Sequence, residues 1–371
     1  MQKRSKKLLP GGGGHGGEAS ARSARRQVLW FFFSKKNCFL LLACLPLPAA
    51  ARTLAVGPGQ EYARPSLAAA AAEEGDTVSI APGTYFDCAA WTTPHLTIRG
   101  AAGPTGAAGV VLSDTTCGGK AVLVIGGDGA TVQDLTLARA RVADGNGAGI
   151  RLEAPSLTVK NVRFINDQVG VLASSEAGGE IHIADSLFES GGVGGDRPSF
   201  AILVGPLQLL QVERTAIRGE AGGGISSAAA MTRLGHASIA VGAGDQPAAA
   251  VVISAGELVM QDSVLTLGPG RPHQGAAIWV TGRGNTTLAR NGMINNTGQS
   301  LALLLDWGSG RTRLDNNVLG AGDSEISTTG LWRHRTANVA HGAIDTAHAL
   351  VDGARHLAGR ARDELKKVLG R

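Results

Sequence analysis

Aromatic side chains are scarce: Phe, Trp and Tyr together make up 4% of the 371 residues. A core cannot be assembled here from large rings, so Val, Ile, Leu and Ala must build it in many small layers. No apolar run approaches the ~20 residues of a membrane-spanning helix. A Gly-rich nucleotide loop, a zinc-type Cys/His spacing and a Gly-x-Ser-x-Gly elbow are all missing, so no cofactor and no metal is implied. What the chain has in excess is Gly, 54 residues, about twice the usual share of ~7%. Many turns and many short aliphatic segments suit an elongated repeat domain better than one large core.

The net charge of +5 is unevenly spread. Residues 1–51 hold 9 Lys/Arg against one acid, Glu18, and residues 331–371 hold 8 against 4. Residues 52–330 hold 18 against 25, a net of −7 (18 − 25). The basicity sits at the ends, which excludes a nucleic-acid-binding body, since that needs its positive field on the folded surface.

Residues 39–48 form an apolar run preceded by Lys35 and Lys36 and followed by Ala49, Ala50 and Ala51. A positive flank, a short apolar core and small residues, in that order, predict a secretory signal with cleavage near Ala51. Leu41-Leu42-Ala43-Cys44 also loosely matches a lipoprotein signal, with Cys44 as the lipidated residue. Residues 1–27 are Gly-, Lys- and Arg-rich, and a signal starting at Val28 or Leu29 has a more usual length. The expectation is an exported protein of the periplasm, outer envelope or extracellular space, with 1–51 as leader. Beyond the leader two cysteines remain, Cys88 and Cys117, either a disulfide or two free thiols.

From about residue 75, short alternating strands such as Thr77–Ile80 and Thr131–Leu137 are separated by Gly/Asp/Asn turns. One unit recurs: an aliphatic strand, a polar corner, then another apolar residue. The corners fall at Asp134, Asn161, Asp185, Arg214, His236, Asp262, Asn291 and Asn316. A period drifting through the twenties marks a solenoid, and corner Asn and Asp tolerate left-handed backbone. The predicted fold class is all-β: a right-handed parallel β-helix over 76–325, an N-terminal cap over 52–75 with a short helix from Arg64 to Glu74, and a tail over 326–371. In the tail, Val339, Ala343, Ile344, Ala347, Leu350, Val351, Ala354, Ala358, Ala361, Leu365 and Val368 recur at helical spacing and predict an amphipathic helix over 336–370.

The segments Ile80-Ala81-Pro82-Gly83-Thr84-Tyr85-Phe86-Asp87-Cys88, Arg141–Arg151 (with Asp144-Gly145-Asn146-Gly147-Ala148-Gly149-Ile150-Arg151) and Phe164–Ala173 closely resemble the right-handed parallel β-helix repeat proteins of the pectin-lyase-like superfamily, in particular its exported bacterial members. The resemblance implies either carbohydrate-active enzymes (lyases, hydrolases, epimerases) gripping a uronate polymer on one outer face, or binding and adhesion proteins. Such look-alikes tend to carry His-Gly-Ile-Tyr, His-Ile-Lys-Ser one coil later and an Asp one coil after that. Here Phe200-Ala201-Ile202-Leu203, Gly224-Ile225-Ser226-Ser227 and Val252-Ile253 stand in those places.

The candidate site residues are few. Asp144, Arg151 and Lys120 are the catalytic candidates. Arg151 suits a carboxylate through its planar fork, and Asp144 a proton or cation. Asn146, Arg151, Lys160 and Arg163 are the binding candidates, and Lys120, Lys160 and Arg163 are the components of a basic stripe. Each also has a plain structural reading, as a turn residue or a solvated cation. Trp91, Trp279, Trp307 and Trp332 are the few candidate stacking platforms for a sugar. In the tail, His341, Asp345, His348, Asp352 and His356 share a helix face, and Arg360, Arg362, Lys366 and Lys367 suit an anionic membrane surface. Two functions follow: a non-catalytic envelope protein binding a glycan or partner along its side, favoured by the lost His, Tyr, Lys and Asp, or a polysaccharide-processing enzyme.

Overall fold

A computed structural model describes residues 51–102, 109–173, 178–189, 191, 199–220, 222–242, 249–269, 275–326 and 338–340. The leader, Trp332, the tail histidines and the basic cluster at 360–367 lie outside the described residues.

The described chain is a right-handed parallel β-helix. Three sheets of twelve, ten and nine strands run its length among the described residues. One coil shows the pattern. Leu157–Lys160 lies in sheet 1, Arg163–Ile165 in sheet 2 and Val169–Ala173 in sheet 3; Glu180–Ala184 then re-enters sheet 1, parallel to Leu157–Lys160, with Val159 opposite Ile183. Period-2 alternation sends Leu157 and Val159 inward and Thr158 outward. A single coil cannot bury that stripe; stacked coils bury it continuously.

The corners between sheets 1 and 2 are left-handed. Asp134, Asn161, Asp185, Arg214, His236, Asp262, Arg290 and Asn316 have φ between +46° and +59°. Seven of these are the corners read from the sequence; the eighth is Arg290, not Asn291. Asn291 is fully buried one residue further on. Its amide donates to the Met260 carbonyl at 2.9 Å and its oxygen accepts the Ser263 N–H at 3.1 Å. The next coil repeats the device, Asn317 accepting the Asn291 N–H at 3.0 Å. Ser186, Thr215 and Ser263 occupy the same inward place in earlier coils, each hydroxyl donating to a carbonyl two residues back. An internal polar ladder thus pairs backbone groups that the sharp corner withdraws from the sheets.

Phe164 and Phe188 stack inside sheet 2 with centroids 4.4 Å apart. Room for them comes from Gly149 and Gly170 opposite: a Cβ on Gly170 would lie 2.4 Å from a Phe188 ring carbon.

At the N-terminal end the cap is shorter than the sequence suggests. The helix is Pro65–Ala71, and Thr53–Val56 is already the first strand of sheet 1. The helix stops because Asp76, its side chain 3% exposed, captures the Glu73 N–H at 2.9 Å. The same carboxylate accepts the Arg52 N–H at 2.9 Å and the Arg52 guanidinium at 2.7 Å. At the other end, Asn338–Ala340 is a strand on Thr312–Asp315, not the start of a helix; β-branched Val339 pairs with Leu314 there. The rest of the expected tail helix lies outside the described residues. No helix among the described residues is long and apolar enough to cross a membrane.

The Arg52 side-chain hydrogen bond, with the backbone donors, holds Asp76 down from 3.8 to about 2. Arg139, Arg214 and Arg290 likewise lower Asp114, Asp185 and Asp262. Each folded-state value lies below the unfolded one. The stability these groups supply is therefore present above the unfolded carboxylate pKa and lost as pH falls through the folded value. For Asp76 that window runs from about pH 4 down to about pH 2. Urea midpoints measured across it are expected to fall steeply in the wild type. Asp76→Asn should be weaker at neutral pH and shallower across the window; an unchanged slope would remove Asp76 from the account.

Candidate functional site

Sheet 3 differs from sheet 1. Sheet 1 strands alternate buried and half-exposed positions, as in Thr77–Ile80. In sheet 3, Ala121–Ile125, Val169–Ala173 and Ala302–Asp306 are buried at every position. Its outward residues form one column in register: Ala90, Val124, Arg151, Leu172, Leu203, Ser226, Val252, Trp279 and Leu305. Val124 and Leu172 belong to an apolar cluster separate from the core, with Ala121, Ala148 and Val169. A third cluster joins Leu305, Ala276, Ala302 and Trp279. Leu203, Ser226 and Val252, three of the positions where the sequence departs from its look-alikes, are consecutive in this column.

The charged end of the column is built around Glu153, which the sequence reading did not single out. The Lys120 ammonium is 2.5 Å from its carboxylate, and the Arg151 guanidinium 4.0 Å. Lys120 immediately precedes Ala121–Ile125, and Arg151 lies in the neighbouring strand Ala148–Leu152, so two of the candidates do meet. Asp144 and Asn146 sit in the loop leading into Ala148–Leu152. There the Asn146 N–H approaches the Asp144 carboxylate at 3.4 Å, an ordinary turn contact. The loop is clamped from the next coil by Gln168, whose side-chain oxygen accepts the Val142 and Gly147 N–H groups at 2.9 and 2.8 Å and whose amide donates to the Val142 carbonyl at 3.1 Å. Gln168 was visible within the Phe164–Ala173 segment, but its partners lie more than twenty residues back.

The basic stripe does not form. Lys120 borders sheet 3, Lys160 is exposed on sheet 1, and Arg163 lies on sheet 2 with its guanidinium 3.9 Å from Glu189. No group of three or more His, Cys, Asp or Glu among the described residues is placed to hold a metal ion.

The other end of the column is aromatic. Trp279 and Trp307 lie 5.9 Å apart at 45°. Trp307 is 50% exposed, the most exposed tryptophan among the described residues. Its turn is fixed by buried Asp306, which accepts the Gly308 N–H at 2.8 Å and the Thr312 hydroxyl at 2.5 Å. Arg283 and Arg311 stand exposed in the stacked turns beside it, with no ion-pair partner among the described residues. Trp91, by contrast, is 1% exposed and is a core residue. Arg151 and Trp279 are five strand steps apart, roughly 24 Å. The face therefore offers an apolar track with an ion cluster toward one end and a tilted indole pair toward the other. The Glu153 carboxylate, held by Lys120, is engaged in an ion pair.

No protein-family model matches the sequence, and no curated protein does. Among solved structures, similarity is found to a pectin methylesterase from Aspergillus niger (13% identity, 82% of this chain and 94% of that one, TM-score 0.37). It extends to pectin methylesterase from carrot (12%, 75% and 88%, TM-score 0.43) and to pectin methylesterase PemA from Erwinia chrysanthemi (9%, 78% and 99%, TM-score 0.39). At these identities and scores the likeness says nothing about what this chain does.

Proposed function

We propose that this protein is an exported β-helix that binds a glycan along the outer face of sheet 3 without catalysis. The observation that carries the reading is the Trp279–Trp307 pair: two indoles held together on an outer face, one half exposed, in a chain with few aromatics. Indole faces bury the apolar faces of sugar rings while their hydroxyls stay wet. Catalysis is disfavoured because Leu203, Ser226 and Val252 stand where the look-alikes carry Tyr, Lys and Asp, and none of the three is ionisable near neutral pH to serve as a general base.

The test is binding of the secreted chain to a panel of neutral and uronate polysaccharides, with Trp307→Ala and Trp279→Ala alongside. Each loss of an indole is expected to weaken binding by roughly tenfold or more. The enzymatic alternative is read in the same tubes. Release of unsaturated, ultraviolet-absorbing ends that vanishes in Arg151→Ala would replace binding with lyase chemistry at the Lys120–Glu153–Arg151 cluster. Full affinity in both tryptophan variants would remove the platform.

A further inference from the structure

Glycine after asparagine leaves the following peptide nitrogen unobstructed, so that it can swing onto the asparagine's own side-chain carbon. Asn-Gly occurs twice in the chain, at Asn146-Gly147 and Asn291-Gly292, and the fold treats the two oppositely. Asn291 is 0% exposed. Its amide donates to the Met260 carbonyl and to Asn317, its oxygen accepts the Ser263 N–H, and the Gly292 N–H donates to the Ser263 carbonyl at 2.9 Å. Asn146 is half-buried in the loop entering Ala148–Leu152, and its carboxamide makes no hydrogen bond among the described residues. What is held there is the other reactant. The Gly147 N–H donates to the Gln168 side-chain oxygen at 2.8 Å, and the Gly147 carbonyl accepts the Val169 N–H at 3.0 Å. Gln168 is itself 5% exposed.

We propose that Asn146 is a site of spontaneous deamidation in the folded protein and that Gln168 sets its rate. The Gly147 nitrogen attacks the Asn146 Cγ. A new C–N bond closes a succinimide, the Cγ–Nδ2 bond breaks, and the Gly147 proton leaves with the departing ammonia. Water then adds to one of the two ring carbonyls and opens the ring to aspartate or isoaspartate. Water is the sole co-reactant, and no electrons change hands. The step waits on Gln168, because one N–H cannot donate to the glutamine oxygen while its nitrogen attacks Cγ.

The product is a carboxylate where the sequence has a neutral amide. It stands two residues before Ala148, whose N–H donates to the Lys120 carbonyl at 3.0 Å, at the end of sheet 3 where Lys120 and Arg151 meet Glu153. One negative charge is added to that end. That the added charge alters what the face binds rests on the glycan-binding reading; the modification itself does not.

The experiment therefore uses no glycan. The full chain, its Gln168→Met and Gln168→Glu variants and a synthetic peptide of residues 141–151 are held in warm, mildly alkaline buffer. Conversion of amide to acid is followed at Asn146 and Asn291 by peptide mass spectrometry. The peptide should convert fastest and the wild type slowest. Gln168→Met frees the Gly147 N–H and should convert about fivefold or more faster than wild type. Gln168→Glu keeps an acceptor oxygen and should stay within about twofold of wild type. Asn291 should stay intact in all three proteins, which reports that the body is folded. No conversion at Asn146 in wild type or Gln168→Met overturns the site. Wild type as fast as the peptide, or Gln168→Met no faster than wild type, overturns the part given to Gln168. If Gln168→Met converts at Asn291 as well, it has lost the fold, and Gln168→Glu decides: the peptide's rate there overturns that part, and the wild-type rate upholds it, whatever the polysaccharide panel shows.

Discussion

Truncating Phe188 to alanine is expected to lower stability by about 4 kcal/mol, among the largest effects of any single side chain in the described core. Phe188 is 1% exposed and stacks on Phe164 at 4.4 Å. Alanine removes the ring from between two coils and leaves a void that rigid strands on either side cannot close. The void opens on Gly170, whose missing Cβ is what lets the ring fit. Gly170→Ala alone should therefore overpack the coil and destabilise by about 1–3 kcal/mol. In the Phe188→Ala background the same methyl meets less resistance and should recover part of the loss, although the Ala201 carbonyl at 2.8 Å still crowds it. The double-mutant cycle should show favourable coupling of about 1 kcal/mol or more. A solenoid is stabilised by nearest-neighbour interfaces, so a weak middle coil should also broaden the urea transition. Additive single effects, or a Phe188→Ala loss below about 1 kcal/mol, would mean that the stack is not the coil's anchor.

That stack also marks the limit of what the chain discloses when read linearly. The aliphatic strands, the period and seven of the eight left-handed corners between sheets 1 and 2 are legible, because each depends on a residue's own backbone preference or on alternation within five residues. Asn291 misled because Asn is a good corner residue. The chain instead places Arg290 at the corner, where it forms a bidentate pair with Asp262 one coil earlier at 2.7 Å, and spends the amide inside. Relationships between coils are the part that stays hidden. Glu153 reaches back 33 residues to Lys120, and Trp307 meets Trp279 across 28 positions (307 − 279). Whether Lys120, Lys160 and Arg163 share a face depends on which of three sheets each strand joins, and a strand of four residues does not say. The tryptophans were nameable as platforms; that Trp91 is core and Trp307 surface follows only from the position of the cap helix and the Asp306 turn.

Breaking the Cys88–Cys117 disulfide is expected to cost about 3 kcal/mol, and to cost it locally. The bridge closes a separation of 29 residues, for which loop-closure entropy gives about 3.5 kcal/mol. Its place matters as much as its loop. Ala89–Trp91, which it precedes, is the edge strand of sheet 3 and has a neighbour only on the Ala121–Ile125 side. An edge strand of three residues frays readily, and the bridge pins it to the chain entering the next coil. There the Cys117 N–H donates to the Ala121 carbonyl at 2.8 Å and its own carbonyl accepts the Lys120 N–H at 3.0 Å. In Cys88→Ser/Cys117→Ser, amide exchange should accelerate in Ala89–Trp91 and Ala121–Ile125 while Ala276–Val280, at the far end, keeps its protection. The Lys120–Glu153 pair should loosen with the loop that carries it, so any contribution of that cluster to binding falls alongside. Reduction of the wild type by dithiothreitol should reproduce both changes. Uniform acceleration along the solenoid would instead show one cooperative unit in which the bridge acts through the unfolded chain alone. No acceleration anywhere would show that the cap helix and Trp91, packed beneath it, hold the first coil without help.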